Sequence, residues 1–193
     1  VLENFGPSTM ENLGLGAKSL LKINPRLIYA AGSGYGRSGE HKDYLAMDIT
    51  VQSMAGVMNT TGVEGLPPMK AGPAISDFFG GIHLYAAVVT ALMQREQTGD
   101  GCILDVAMQD SVFPTLATII GAYYYHDREV PVRNGNKHPA LTMAPYNVYA
   151  TKDGYVAIIC IRDGHWRSLI EAIDRNDLAA AEKYETMLQR AGL

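Results

Sequence analysis

Strand-like and helix-like segments alternate along this chain, and that order points to an α/β or mixed architecture. Arg26–Ala31 (RLIYAA) and Cys102–Met108 (CILDVAM) read as strands. Between them lie a glycine-rich loop, Gly32–Gly39, and an apolar stretch at helical spacing, Asp48–Thr60. A turn-rich segment, Gly62–Gly72, and a long helix over Asp77–Gln97 complete the interval. In that helix Ile82, Tyr85, Val89, Leu92 and Met93 form one apolar stripe, and Leu84 and Val88 begin a second. A helix apolar on two sides is expected to lie buried between layers. Asn12–Asn24 reads as an earlier helix closed by Pro25, and Ser111–His126 as a later one whose Pro114 fits only in its first turn. Thr98-Gly99-Asp100-Gly101 is a tight turn into the second strand.

The composition shifts between Asp127 and Pro145 to Pro, Asn, Gly and charge, which reads as a linker. Beyond it, Tyr146–Ala150 and Tyr155–Ile161 form a β-hairpin around Lys152-Asp153-Gly154. Helices over Gly164–Asp174 and Leu178–Arg190 come last. The expected division is 1–126 as part of a large α/β domain, 127–145 as linker and 146–193 as an incomplete small domain. The chain starts without Met at full structural pace, as if cut from a longer one.

Composition excludes several classes. With 47% hydrophobic and 19% charged residues among 193, the chain has the material for a packed core and no case for disorder. Sixteen Lys+Arg against 20 Asp+Glu give a net charge of −4, so nucleic acid is not an expected partner. No uninterrupted run of about 18 apolar residues appears, and no membrane span is expected. Cys102 and Cys160 each sit in an apolar strand-like run, as small buried hydrophobes do, which suits a reducing cytoplasm. The five histidines, His41, His83, His126, His138 and His165, lack ligand spacing, so no metal site is expected. His83 is expected to be a satisfied core or interface residue.

Two features carry possible chemistry. Gly34-Tyr-Gly-Arg-Ser-Gly39 matches G-x-G-x-x-G after a strand. The next residues are the charged Glu40-His41-Lys42-Asp43 rather than an apolar-periodic helix. A ligand-adjacent glycine loop is therefore preferred over a dinucleotide fingerprint. Asp77 opens the long helix and is succeeded by Phe78-Phe79-Gly80-Gly81. As a helix N-cap it would accept amide hydrogen bonds. As a nucleophile it would be ionised at neutral pH and need no general base, with the two glycines admitting substrate and free amides holding an oxyanion.

Taken in order and spacing, many segments resemble the class III (CaiB/BaiF) coenzyme A transferase family. They include Val1–Pro7 (VLENFGP), Leu13–Gly16, Asn24–Tyr29, Gly32–Gly36, Met47-Asp48 with Gln52–Gly56, and Ser76–Gly81 (SDFFGG). Ala91–Gly101, Gly135–Pro139, Ala144–Tyr149 and Asp153–Tyr155 continue the match. The resemblance implies the family fold, an incomplete large α/β domain with the start of a small one, and an interlocked homodimer for the full-length protein. It implies transfer of CoA from an acyl-CoA to a carboxylic acid, CoA being substrate and no cofactor tightly bound. Asp77 would attack the thioester to form a mixed anhydride, then carry CoA as an aspartyl thioester. Asn4 and Phe5 would line the CoA adenosine region. Asp48, Gln52, Gly80 and Gly81 are acyl-site candidates, with a plain N-cap (Asp48) and a buried amide (Gln52) left open. Thr142, Met143 and Tyr146 are further pocket candidates by position. The related α-methylacyl-CoA racemases carry a His where this chain has Met47, which cannot shuttle a proton. A non-catalytic CoA-binding fragment is the competing reading.

Overall fold

The computed structural model describes residues 1–128, 133–179 and 181–192. Part of the 127–145 segment therefore lies outside the described residues. Contacts divide the chain into two units: residues 1–59 with 68–117, and residues 60–67 with the described residues from 118 onward.

The first unit is built on a three-stranded parallel sheet in the order β1 (Leu2–Glu3), β2 (Ile28–Ser33), β3 (Cys102–Ala107). Ile28 to Ser33 pair in register with Cys102 to Ala107, and Leu2 and Glu3 with Ala30 and Ala31. As the central strand, β2 is covered on both faces, and Ile28, Tyr29, Ala30 and Ala31 are all buried. That explains its continuous small-and-apolar run in place of alternation. The long helix α5 (Ile75–Thr98) joins β2 to β3 and packs on both strands, as well as on α3 (Asp48–Met54) and α6 (Met108–Val112). At its end Gly99 takes φ +81 as a left-handed cap. A Cβ on Gly101 would collide with the Leu27 carbonyl, so the expected turn demands both glycines.

Several expected helices are broken at single residues. Gly14 at φ +72 separates α1 (Thr9–Asn12) from α2 (Ala17–Ile23), where one helix over Asn12–Asn24 was expected. Gly56 at φ +89 divides α3 from α4 (Val57–Thr60). Pro114, lacking an N–H, falls in a 3-10 turn (Phe113–Leu116) between α6 and α7 (Ala117–Tyr125).

The two apolar stripes of α5 have different fates. Leu84 and Val88 are half-buried and Ala91 is buried, on the side packed against the sheet. Ile82, Tyr85, Val89, Leu92 and Met93 are exposed, so the helix is not buried between layers within the described residues. His83 is exposed too, its Nδ1 2.8 Å from the Phe79 carbonyl, rather than a core histidine. The 24 residues of α5 include a window of mean hydropathy 1.4, which by length and composition alone reaches the range of a membrane span. Core helices pass the same test.

In the second unit β4 (Tyr146–Ala150) and β5 (Tyr155–Ile159) pair antiparallel, Val148 opposite Ala157, closed by the Thr151 amide on the Gly154 carbonyl at 2.8 Å. α8 (Asp163–Ala172) comes next. The expected helix over Leu178–Arg190 is instead two 3-10 turns and a short α9 (Met187–Ala191), opened by a Thr186–Gln189 capping box. Arg190 is buried and bonds the carbonyls of Ala144, Tyr184 and Glu185 and the Asp163 carboxylate. Cys160 is buried, with its thiol pushed up by burial, and Cys102 is half-buried.

Candidate active site

The first unit holds an open cleft of about 950 Å³ where β1, the loop after β2 and the start of α5 meet. That volume falls in the range of ligand sites, about 300–1,000 Å³. Asp77, Gly80, Gly81, Asn4 and Phe5 all line it, together with Met47. Asp48 and Gln52 do not line it and serve a different purpose.

Asp77 is the third residue of α5, with Ala74 at the cap, so the N-cap reading of Asp77 does not hold. No hydrogen bond from the described residues holds its carboxylate. Asp77 is exposed to the cleft, and its pKa is raised above the ordinary aspartate value, first by partial desolvation and second by the negative charge of Asp48. The result is a carboxylate more basic than usual, facing a cleft.

Asp48 braces the start of that helix from outside. It is the first residue of α3, capped by Met47, so it is not an N-cap of its own helix. One carboxylate oxygen accepts the Ser76 amide at 2.9 Å, and the other accepts the Gln52 side-chain amide at 2.8 Å. Asp48 thus satisfies one of the four orphan amides of α5 and meets the positive end of its dipole. Gln52 is fully buried, and its carbonyl accepts the Ala71 amide at 2.8 Å, fastening the segment that leads into α5. These bonds span 28 and 19 residues, and they fix where Asp77 stands.

The two glycines have distinct causes. A Cβ on Gly80 would lie 2.8 Å from Met108 Cγ, so close packing of α5 on α6 demands its absence. A Cβ on Gly81 would meet nothing within 4 Å, so packing gives no reason for that glycine. Both lie beyond the first four residues of α5, so their amides are engaged within the helix and do not serve as the free oxyanion donors expected. Gly81 alone leaves open space, one turn after Asp77.

The glycine loop is irregular from Gly34 to Met47, and no helix opens on its glycines. Gly34 is required because a Cβ there would strike Ala46, and Gly36 and Gly39 have φ of +86 and +84. The loop delivers Arg37 to the cleft wall, where the guanidinium bonds Glu3 at 2.9 Å and also Glu11. Sequence reasoning missed Glu3 and Arg37. Their partnership spans 34 residues and leaves no local pattern.

The family model described as CoA-transferase family III matches residues 1–192. A succinyl-CoA:mesaconate CoA-transferase of Haloarcula hispanica is 39% identical over 184 residues, covering 93% of this chain and 46% of that protein. An acetyl-CoA:oxalate CoA-transferase of Acetobacter aceti is 37% identical over 183 residues, covering 94% and 46%. Among solved structures, a CAIB/BAIF family protein from Brucella suis superimposes with a TM-score of 0.83 at 34% identity, covering 100% of this chain and 50% of that one. The chain spans about half the length of the curated relatives it matches.

Proposed function

The chain belongs to CoA-transferase family III, and on that premise we propose that its protein transfers coenzyme A from an acyl-CoA thioester to a free carboxylic acid, with Asp77 as nucleophile. The observation that carries this reading is a cleft-facing Asp77 carboxylate that no described residue hydrogen-bonds, one turn before a glycine that packing does not require. An Asp77 oxygen attacks the thioester carbonyl carbon, the C–S bond breaks, and CoA leaves as thiolate, giving a mixed anhydride. The thiolate then attacks the Asp77 carbonyl carbon, releasing the donor's carboxylate and forming an aspartyl-CoA thioester. An incoming carboxylate attacks that carbonyl and expels the thiolate, which takes the new acyl group and restores Asp77. Charge and atoms balance at each step without a proton donor. The anhydride must be kept from water, and Met47 supplies apolar surface in the cleft for that.

Asn4 and Phe5 are assigned to the nucleotide end of CoA, and Gly80 and Gly81 to the acyl approach. Asp48 and Gln52 act on the site through α5. Residues 1–126 are assigned to the family's large domain and 146–193 to its small domain, with 127–145 as the linker. A cytoplasmic homodimer without membrane or nucleic-acid partners completes the proposal. The test is intact-mass and peptide mass spectrometry of the full-length protein mixed with succinyl-CoA or acetyl-CoA and hydroxylamine. A hydroxamate on Asp77, absent from Asp77→Ala, is expected. Retained CoA transfer in Asp77→Ala would refute the assignment, and α-proton exchange of a branched acyl-CoA would redirect it to racemase chemistry.

A further inference from the structure

Glu3 closes β1 and is 7% exposed, although it carries a carboxylate. Removing such a group from water is costly unless each oxygen finds a donor. Both do. One oxygen accepts from Arg37 at 2.9 Å, and the other accepts the backbone amide of Phe5 at 3.0 Å. The second bond shapes the turn that carries Asn4 and Phe5, both exposed, into the cleft. The segment is anchored on one side by the β1–β2 pairing and on the other by the Thr9 amide on the Gly6 carbonyl at 3.2 Å, and between them the Glu3 carboxylate supplies the side-chain bond to the Phe5 amide.

Arg37 holds that carboxylate in turn. Its guanidinium lies between Glu3 and Glu11 and 5.8 Å from the centre of the Tyr29 ring, while its backbone amide bonds the Asp105 carboxylate at 2.9 Å. An arginine lining a cleft for a phosphate-bearing substrate invites assignment as a phosphate ligand. Here its charge is matched by two carboxylates. A phosphate that took the guanidinium would leave Glu3 buried without its cation, which is the costly outcome.

We infer that Glu3, held by Arg37, is a positioning residue that sets the Asn4–Phe5 segment for the nucleotide end of acyl-CoA, and that Arg37 acts through Glu3 rather than on phosphate. This rests on the CoA-transferase reading above. The chemistry recognised is an adenosine phosphate, so adenosine 3′,5′-bisphosphate serves as a probe independent of the acyl group.

The experiment measures the dissociation constant for that bisphosphate and the kcat and KM for succinyl-CoA, in full-length protein and in Glu3→Ala, Glu3→Gln and Arg37→Met. A hydrogen bond to a charged group is worth roughly ten- to a hundredfold. Glu3→Ala is therefore expected to raise both the dissociation constant and KM by about tenfold or more, with the smaller share of the loss in kcat. Glu3→Gln keeps an acceptor for the Phe5 amide while Glu11 still pairs Arg37, so it is expected to recover most of the affinity. It also keeps the test alive if the alanine variant fails to fold. Arg37→Met is expected to weaken the bisphosphate and adenosine 5′-phosphate by the same factor. Loss of discrimination between those two nucleotides would make Arg37 a ligand of the 3′-phosphate and overturn its part. An unchanged dissociation constant in Glu3→Ala, with only a lower melting temperature, would overturn the positioning role. Asn4→Ala and Phe5→Ala separate the two levels. If they weaken the bisphosphate and Glu3→Ala does not, positioning fails alone; if none of them does, the nucleotide assignment of the segment fails as well.

Discussion

Replacing Gly81 by Ala sets stability against activity. Gly81 lies in the second turn of α5, exposed, where an added Cβ would meet nothing within 4 Å. With no clash and no left-handed φ to oppose it, the substitution brings the helix-propensity difference between Ala and Gly, about 1 kcal/mol. That corresponds to a rise of about 2–4 °C in melting temperature for 150–250 residues and to a smaller one in a longer chain. Gly81 also stands four residues after Asp77, on the same helix face, so the new methyl projects beside the carboxylate proposed as nucleophile. A displacement of about 1 Å at a reacting carbonyl costs about a hundredfold in rate. The expected variant melts higher and loses at least about tenfold in kcat/KM, read by differential scanning fluorimetry and a CoA-transfer assay on the full-length protein. A raised melting temperature with unchanged kcat/KM would show that acyl groups do not pass over this face of α5, and the site reasoning would fall. A lowered melting temperature would refute the claim of open space. Gly80→Ala is the control. There Met108 must move, an overpacking cost of about 1–3 kcal/mol that offsets the helix gain.

Asp48→Asn removes the neighbouring negative charge that helps raise the Asp77 pKa while keeping an acceptor for the Ser76 amide. Asp77 then stays ionised to lower pH, so the acid limb of its acylation profile is expected to move down. A limb that stays in place or moves up contradicts the electrostatic coupling. In the second unit, Arg190→Met strands three carbonyls and the Asp163 carboxylate. These acceptors are only part-buried and water can reach them, so each loss costs less than the about 1–3 kcal/mol of a fully buried group, and a fall of a few degrees in melting temperature is expected. A melting temperature within about one degree of the parent would show the arginine to be dispensable.

The parts of the fold legible in sequence are those whose signal is long or forced by backbone chemistry. α5 declares itself over 24 residues, and the Thr98–Gly101 turn needs Gly99 and Gly101 for separate steric reasons. The helices expected over 12–24, 48–60 and 111–126 break at Gly14, Gly56 and Pro114. Each breaker is visible in the sequence, yet periodicity runs through it, and only the surrounding packing decides whether the chain turns there. Asp77 and its glycines were legible because they sit together within a few residues. The bonds that place them were not, because Asp48 reaches Ser76 across 28 residues and Glu3 reaches Arg37 across 34. Periodicity also marked both stripes of α5 as apolar without saying what covers either one. The sheet covers the Leu84–Ala91 side, while Ile82, Tyr85 and Met93 stand exposed. Their burial cannot be read from helical spacing, because spacing reports that a face is apolar and carries no information about the segment that packs on it. A functional residue held by remote partners is hidden for the same reason: the sequence shows its type, and only the fold shows its company.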